Sequence, residues 1–335
     1  MDSVALAIDG REVSLPSPLF QYVLDRREDG VFATGRLEME PRLKESVERL
    51  VANATGAEAR ILRDASSGGG CINDARAVEL EDGRTFFLKS NPHPLPGMFP
   101  REAEGLEALH AVGALRVPRP IGTGGEGEGE TPFIVMEHVR TGPRRNDFSE
   151  VFGRGFADLH KESARDRFGF DRDNYIGSTP QPNAWTDDWV EFWRERRLGF
   201  QLELAGRNGL SDSKMDRLGE RLMNRLDDLI GTPDEPACLL HGDLWGGNYM
   251  TDEKGDPVLI DPAAYYGRRE ADLAMTQLFG GFDRRFHGAY EEVWPLAAGS
   301  SARLEIYKLY HLLNHLNLFG GGYRGGCMDI LQRYA

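Results

Sequence analysis

The sequence predicts an α+β chain in two lobes, a small β-rich lobe followed by a larger, mainly helical one. Three observations lead there. Short apolar strands separated by turn residues fill the stretch between Ala59 and Ser90, an apolar strand Phe133-Ile134-Val135-Met136-Glu137 closes that region, and helical periodicity dominates the remainder of the chain. The expected organisation is an N-terminal extension over 1–40 packed on the first lobe, the first lobe over 41–140, and the second over 141–335.

Residues 1–40 alternate short apolar runs with proline and charge and carry no recognisable chemistry. From Pro41 to Asn53 the positions Leu43, Val47, Leu50 and Val51 mark one face of a helix. Ala59 to Asp64 reads as a strand, Ser66 to Gly70 as a glycine turn, Cys71 to Leu80 as a second strand, and Glu81-Asp82-Gly83-Arg84 as a hairpin turn before a third strand, Thr85 to Ser90. A proline-rich loop, Asn91 to Pro100, precedes a helix that begins at Arg101 and ends near Gly113. Val117 to Ile121 is extended because each proline excludes helix before it. Gly122 to Glu130 is a Gly/Glu-rich loop. In the second lobe helices are expected over 147–163, 186–208, 211–230, 269–280, 283–294 and 300–319, with Leu239–Ile260 and an aromatic loop from Phe168 to Trp185 as the exceptions.

Composition narrows the function. A formal net charge of −14 over 335 residues argues against nucleic acid as a partner, since its binding needs a basic face. No apolar run approaches the roughly 20 residues of a membrane span, and the first residues lack a basic, then apolar, secretion signal, so a cytoplasmic location and no membrane partner are expected. Three cysteines, Cys71, Cys238 and Cys327, make neither a disulfide framework nor a zinc cluster. Cys238 and Cys327 are expected as buried thiols. Lysines are few, which makes Lys89, at the end of an apolar strand, conspicuous.

The most informative stretch is His241-Gly242-Asp243-Leu244-Trp245-Gly246-Gly247-Asn248, with Pro257-Val258-Leu259-Ile260-Asp261 after it. A carboxylate and an amide five residues apart, then a carboxylate thirteen residues beyond the amide and behind an apolar strand, is the arrangement of a kinase centre in a bilobal, protein-kinase-like fold. Phosphoryl transfer needs alignment and charge neutralisation more than covalent chemistry. Asp243 is the expected base, orienting the acceptor hydroxyl and taking its proton. Asn248 and Asp261 are the expected oxygen ligands of Mg2+. His241 is expected to hydrogen-bond the loop backbone, and Asp272 to brace that loop. Lys89 would place an ammonium on the ATP phosphates, held by Glu102 or Glu104. Gly68, Gly69 and Gly70 would let backbone N–H groups approach those phosphates, unless they form a plain turn. Glu137, His138 and Val139 would form the hinge whose backbone meets the adenine edge.

Several segments together resemble the fructosamine kinase (ketosamine 3-kinase) family: Ser67-Gly68-Gly69-Gly70-Cys71-Ile72-Asn73, Leu239 to Asn248, Asp261 to Met275, Asn174-Tyr175-Ile176-Gly177, Gln181 to Trp185, Trp189 to Trp193, and Leu309 to Gly320. The resemblance covers 43–335, and Leu-Trp-Gly-Gly-Asn after His-Gly-Asp separates this family from aminoglycoside and choline kinases of the same fold. It favours Glu102 over Glu104 as the partner of Lys89. It implies ATP-dependent phosphorylation of the O3 hydroxyl of a ketoamine, the sugar adduct that glycation leaves on an amine or lysine. The 3-phosphate makes the adduct labile, which regenerates the amine. The acceptor would be a small ketoamine or a glycated lysine on a protein. The family also associates a cysteine at the position of Cys71 with redox control through an intersubunit disulfide, which leaves a monomer or a redox-linked homodimer.

Trp245 is the expected acceptor wall, with Gly246 and Gly247 leaving room for the acceptor. Trp185, Trp189 and Trp193 either line a sugar–amine cleft or pack a core, since Trp189 and Trp193 are four residues apart on a helix. Competing readings are a kinase of the aminoglycoside or choline type and a non-catalytic nucleotide-binding pseudokinase, which the complete set Lys89, Asp243, Asn248 and Asp261 disfavours.

Overall fold

The computed structural model describes residues 39–66 and 73–335, together with the backbone of β1 (Ser3–Ile8) and β2 (Arg11–Pro16), which pair as an antiparallel hairpin. The expected packing of 1–40 on the first lobe lies outside the described residues, as do Gly68, Gly69, Gly70 and Cys71.

Helix α1 (Pro41–Thr55) starts where the Glu40 carboxylate accepts the Arg42 and Leu43 N–H groups, 3.2 and 3.1 Å away, and it stops at Gly56, whose φ of 69° suits glycine. Its buried stripe, Leu43, Val47 and Val51, covers one face of a five-stranded antiparallel sheet. The strands are β3 (Ile61–Ser66), β4 (Asp74–Leu80), β5 (Thr85–Ser90), β6 (Pro120–Gly124) and β7 (Phe133–Glu137), in the order β3-β4-β5-β7-β6. Val78, Leu80, Phe86, Leu88, Phe133 and Val135 meet α1. Alternation turns Ala75, Lys89 and Ile134, which are register partners, to the other face. There α2 (Met98–Val112) packs Phe99, Leu106 and Leu109 beside Ile134 and Met136. This helix begins three residues before Arg101, because Pro100 is tolerated within a first helical turn.

The second lobe is helical: α3 (Phe148–Glu162), α4 (Trp189–Trp193) running through a π-helical stretch Arg194–Gly199 into α5 (Phe200–Arg207), α6 (Ser213–Asn224), α7 (Leu226–Ile230), α8 (Glu270–Leu278), α9 (Arg284–Val293), α10 (Ser300–Phe319) and α11 (Arg324–Tyr334). The single helix expected over 211–230 is broken at Arg225. The expected aromatic loop contains a hairpin of β8 (Asn174–Ile176) and β9 (Thr179–Gln181). Helix α11 was hidden by the glycines before it; Cys327, Met328, Ile330 and Leu331 bury its inner side and override their effect. The short pairs β10 (Cys238–Leu240) with β13 (Tyr265–Gly267) and β11 (Tyr249–Thr251) with β12 (Pro257–Leu259) hold the intervening loops. No helix among the described residues is long and apolar enough to cross a membrane.

The core of this lobe forms around α10, which buries Tyr307, Tyr310 and Leu313 against α5 and α8. His311 lies there too, 3% exposed; burial, then the nearby His315, push its imidazole down to about 3. The folded chain therefore refuses a proton that the unfolded chain accepts below about pH 6.5, so stability is full above that value and falls as pH falls. Urea unfolding should show wild type losing roughly 2 kcal/mol more than His311→Gln between about pH 7.5 and pH 5; equal losses would place the titration elsewhere.

Candidate active site

Lys89 points from β5 into the gap between the lobes. Its Nζ donates to Glu102 Oε1 of α2 at 2.7 Å and pairs with Asp261 Oδ1. Burial works against the ammonium, but Asp261 and Glu102 outweigh it and hold its pKa above the ordinary lysine value. Glu104 is engaged elsewhere, with Arg101 at 2.9 Å and Arg172 at 2.8 Å.

The loop after β10 is built on Asp272 in the first turn of α8. Its two carboxylate oxygens accept the His241 N–H at 2.6 Å and the Gly242 N–H at 2.8 Å. A carboxylate only accepts, so His160 donates Nε2–H to Asp272 (3.3 Å) and takes the Tyr290 hydroxyl proton at Nδ1 (2.8 Å). Burial opposes the Asp272 charge, yet the bonds from His160 and the Gly242 N–H keep its pKa below the usual range. His241 donates Nε2–H to the Ile260 carbonyl at 2.9 Å and accepts the Asp243 N–H at Nδ1, so it pins the loop and does not face the cleft as an acid. Gly242 has φ +82°, and a Cβ there would lie 2.0 Å from the Ala263 oxygen.

Asn248 Nδ2 donates to the Asp243 carbonyl (2.8 Å) and to Asp243 Oδ2 (3.0 Å), which leaves Asn248 Oδ1 free to ligate. Burial, with Asp261 and Asp272 adding and Asn248 opposing, pushes the Asp243 carboxyl well above the ordinary carboxylate range. Asp261 holds a left-handed φ of 55°, uncommon for a non-glycine residue and tolerated best by Asn and Asp. Lys89, Glu102, Asp243, Trp245, Asn248 and Asp261 thus meet in one cleft of about 290 Å³.

The fructosamine kinase family model matches residues 43–335. The chain belongs to the fructosamine kinase family. A chloroplastic protein-ribulosamine 3-kinase of rice is 43% identical over 304 residues, covering 90% of this chain and 87% of that one. A probable ketoamine kinase of Synechocystis is 40% identical over 291 residues, covering 86% and 96%. The crystal structure of a Thermobifida fusca protein assigned as a fructosamine-3-kinase superposes with a TM-score of 0.76 at 36% identity, covering 86% of this chain and 97% of that one. An aminoglycoside phosphotransferase in complex with ADP and hygromycin B shares the fold, with a TM-score of 0.58 at 15% identity over 86% of this chain and 99% of that one.

Within this fructosamine kinase family fold, two of the tryptophans expected at the acceptor wall do not line the cleft. Trp189 is 2% exposed, donates Nε1–H to the Tyr307 hydroxyl at 2.9 Å, and packs in the core against Trp193. Trp185 is half-buried against Tyr266 and donates to Asp171. Trp245 does line the cleft and stays 40% exposed. The glycines after it also answer to contacts within the fold. A Cβ at Gly247 would lie 2.4 Å from the Trp245 ring, and Gly246 meets the backbone of Gly281, whose own Cβ would come within 2.6 Å of the Gly246 Cα. Of the expected hinge, Glu137 ends β7 with its carboxylate on Arg116 at 2.6 Å, His138 is half-buried and Val139 is buried.

The far wall comes from residues to which the sequence alone assigns no role: Met98 and Arg101 of α2, Tyr175 and Gly177 of the β8–β9 hairpin, and Asn314, His315, Leu318 and Phe319 of α10. A Gly-Ser pair between two short polar–apolar runs was the available signal for the hairpin. Gly242→Ala should cost about 2–5 kcal/mol, the sum of left-handed strain and overpacking. Urea unfolding will read it, and a loss under about 1 kcal/mol would show the loop able to give way.

Proposed function

We propose that the chain is an ATP- and magnesium-dependent kinase that phosphorylates the 3-hydroxyl of a ketoamine, a fructosamine or ribulosamine adduct of a small amine or of lysine, and so serves deglycation. The observation that carries this is the bonded pair Asp243–Asn248 facing the Lys89–Asp261 ion pair across one cleft. The names of the rice and Synechocystis relatives support the acceptor class.

The nucleotide would lie between the lobes, which divide near residue 140, with its phosphates at Lys89. Lys89 is held ready by Glu102, and nucleotide phosphate oxygens would share its ammonium with Asp261. The Asn248 Oδ1 and the Asp261 carboxylate are hard oxygen donors open to the cleft, and two such protein ligands suit magnesium, which keeps water and phosphate for the remainder of its shell. Bound magnesium would neutralise charge on the phosphate oxygens. Asp243 orients the acceptor hydroxyl with one carboxylate oxygen while Asn248 Nδ2 holds the other, which places that carboxylate to receive the hydroxyl proton. Trp245 offers a ring face to the C–H surface of the sugar and to the amine.

Two measurements test this reading. Asp243→Asn should cut ketoamine phosphorylation by roughly 10²–10⁴-fold while ATP still binds; equal turnover by both proteins would remove Asp243 from the role of base. Wild type offered ribulosyl-lysine, fructosyl-lysine, choline and kanamycin should consume ATP only with the ketoamines, with the new phosphate located on O3 by NMR. Turnover on kanamycin or choline alone would overturn the acceptor class.

A further inference from the structure

On the far wall of the cleft two adjacent residues of α10, Asn314 and His315, stand beside Leu318 and Phe319 of the same helix, and the hydrogen bonds behind them fix what each presents. His315 Nδ1 lies 2.8 Å from the His311 carbonyl, an oxygen that only accepts, so Nδ1 carries the proton and Nε2 carries a lone pair. Among the described residues nothing bonds Nε2, and that atom is not buried, so its open edge is the one in the cleft. Phe279 packs against the imidazole, tilted by 40° with ring centroids 4.3 Å apart, and Phe319 and Tyr323 flank it at 5.5 and 5.1 Å, so the ring is held on three sides. Burial lowers the His315 pKa, which keeps the imidazole neutral and the lone pair available.

Asn314 is fixed in the opposite sense. Asn317 donates Nδ2–H to Gln201 Oε1 at 2.8 Å, so Gln201 turns its own N–H to Asn314 Oδ1 at 3.2 Å. The Asn314 amide, 2% exposed, is left with its Nδ2–H group unbonded at the cleft wall. One donor and one acceptor therefore stand side by side on an apolar surface. A ketoamine carries the matching pair two carbons apart, an amine N–H and the C2 oxygen.

We infer that His315 Nε2 accepts the N–H of the acceptor's amine while Asn314 Nδ2 donates to the neighbouring C2 oxygen, which makes this pair the determinant for an amine-bearing ketose over a plain ketose. The inference rests on the ketoamine kinase reading and adds to it the residues that read the amine. An unpaired acceptor facing a methylene would be left without the bond that the amine N–H supplies, and that asymmetry sets the size of the discrimination.

The test compares kcat/KM for a fructosyl- or ribulosyl-alkylamine with that for its isostere in which methylene replaces the amine N–H, in wild type, His315→Phe and His315→Gln. Phenylalanine keeps the ring packing and removes the lone pair; glutamine restores an oxygen acceptor and is a good helix former. Wild type should prefer the amine by roughly 10- to 100-fold. His315→Phe should bring the two acceptors to within about threefold of each other, and His315→Gln should recover most of the preference. A His315→Phe enzyme that keeps the full preference, or a His315→Gln enzyme that recovers none of it, overturns the role of His315 while leaving the kinase reading intact. Wild type that phosphorylates neither compound overturns that reading and this inference with it.

Discussion

The buried ammonium of Lys89 is the constraint on which the rest depends. It is shared by Glu102 of α2 and Asp261 of the loop after β12, so a single charge ties the sheet, its packing helix and the second lobe together. Removing Lys89 or Glu102 strands its buried partner in a poorly solvated place, whereas Asp261, with its side chain 46% exposed, keeps contact with water. Gly105 of α2 shows how close this junction is: a Cβ there would lie 3.3 Å from Pro262. The helix has to approach the Asp261–Pro262 turn this closely for Glu102 and Asp261 to meet on one nitrogen. Arg116 makes a second junction on the hinge side, with Glu137 at 2.6 Å and Asp252 at 2.8 Å, tying the end of β7 to the turn that joins β11 and β12.

Behind the cleft the same logic is carried out with amides. Asn174 Nδ2 donates to the Ala264 carbonyl, and its Oδ1 accepts from both Gln181 and Asn183, each at 2.8 Å. Gln181 also reaches the Ala263 carbonyl and accepts the Tyr310 hydroxyl. Arg197, wholly buried, donates to Asn183 at 2.8 Å and to the Pro182 carbonyl at 2.7 Å, with its guanidinium 4.0 Å from the Tyr265 ring centroid. Carbonyl oxygens and ring faces take the place of a carboxylate partner there. The network joins the β8–β9 hairpin, which lines the cleft, to the Ala263–Ala264 backbone just beyond Asp261. The second-lobe side of the cleft is thereby held together by one hydrogen-bonded network.

Much of this was legible in the chain. The Asp243, Asn248 and Asp261 spacing survives translation into geometry because a short loop and a three-residue β-pair leave little freedom between those positions. Long helices were legible through their period, and Ser300–Phe319 falls where the pattern puts it. The failures share a physical origin. Trp189 and Trp193 mark an apolar stripe, but a stripe does not say whether it faces a core or a cleft; the bond to Tyr307, more than a hundred residues away, decides that. Strands of three residues are too short for alternation to announce them. Gly246 is explained by the Gly281 backbone, which approaches from a distant part of the chain, and Gly247 by the Trp245 ring folding back over it.

The side chains of α10 show why acceptor recognition was the least legible property. Asn314 and His315 stand inside a helix whose other faces bury Leu313 and Leu316, so in the sequence they look like polar breaks in a core pattern. Their meaning comes from second neighbours. Gln201, on α5, takes up the Asn314 oxygen, and the His311 carbonyl takes up the His315 proton. A polar residue whose better half is already bonded inside the fold presents only the remaining half, and with it a defined chemical preference. Trp245 follows the same rule by other means, since its ring lies over Gly247 and leaves one face for a ligand. Phosphoryl transfer needs a few charges at set distances, which a local motif can encode. Selecting the acceptor needs side chains whose orientation is set by distant partners, and those constraints exist only once the chain has folded.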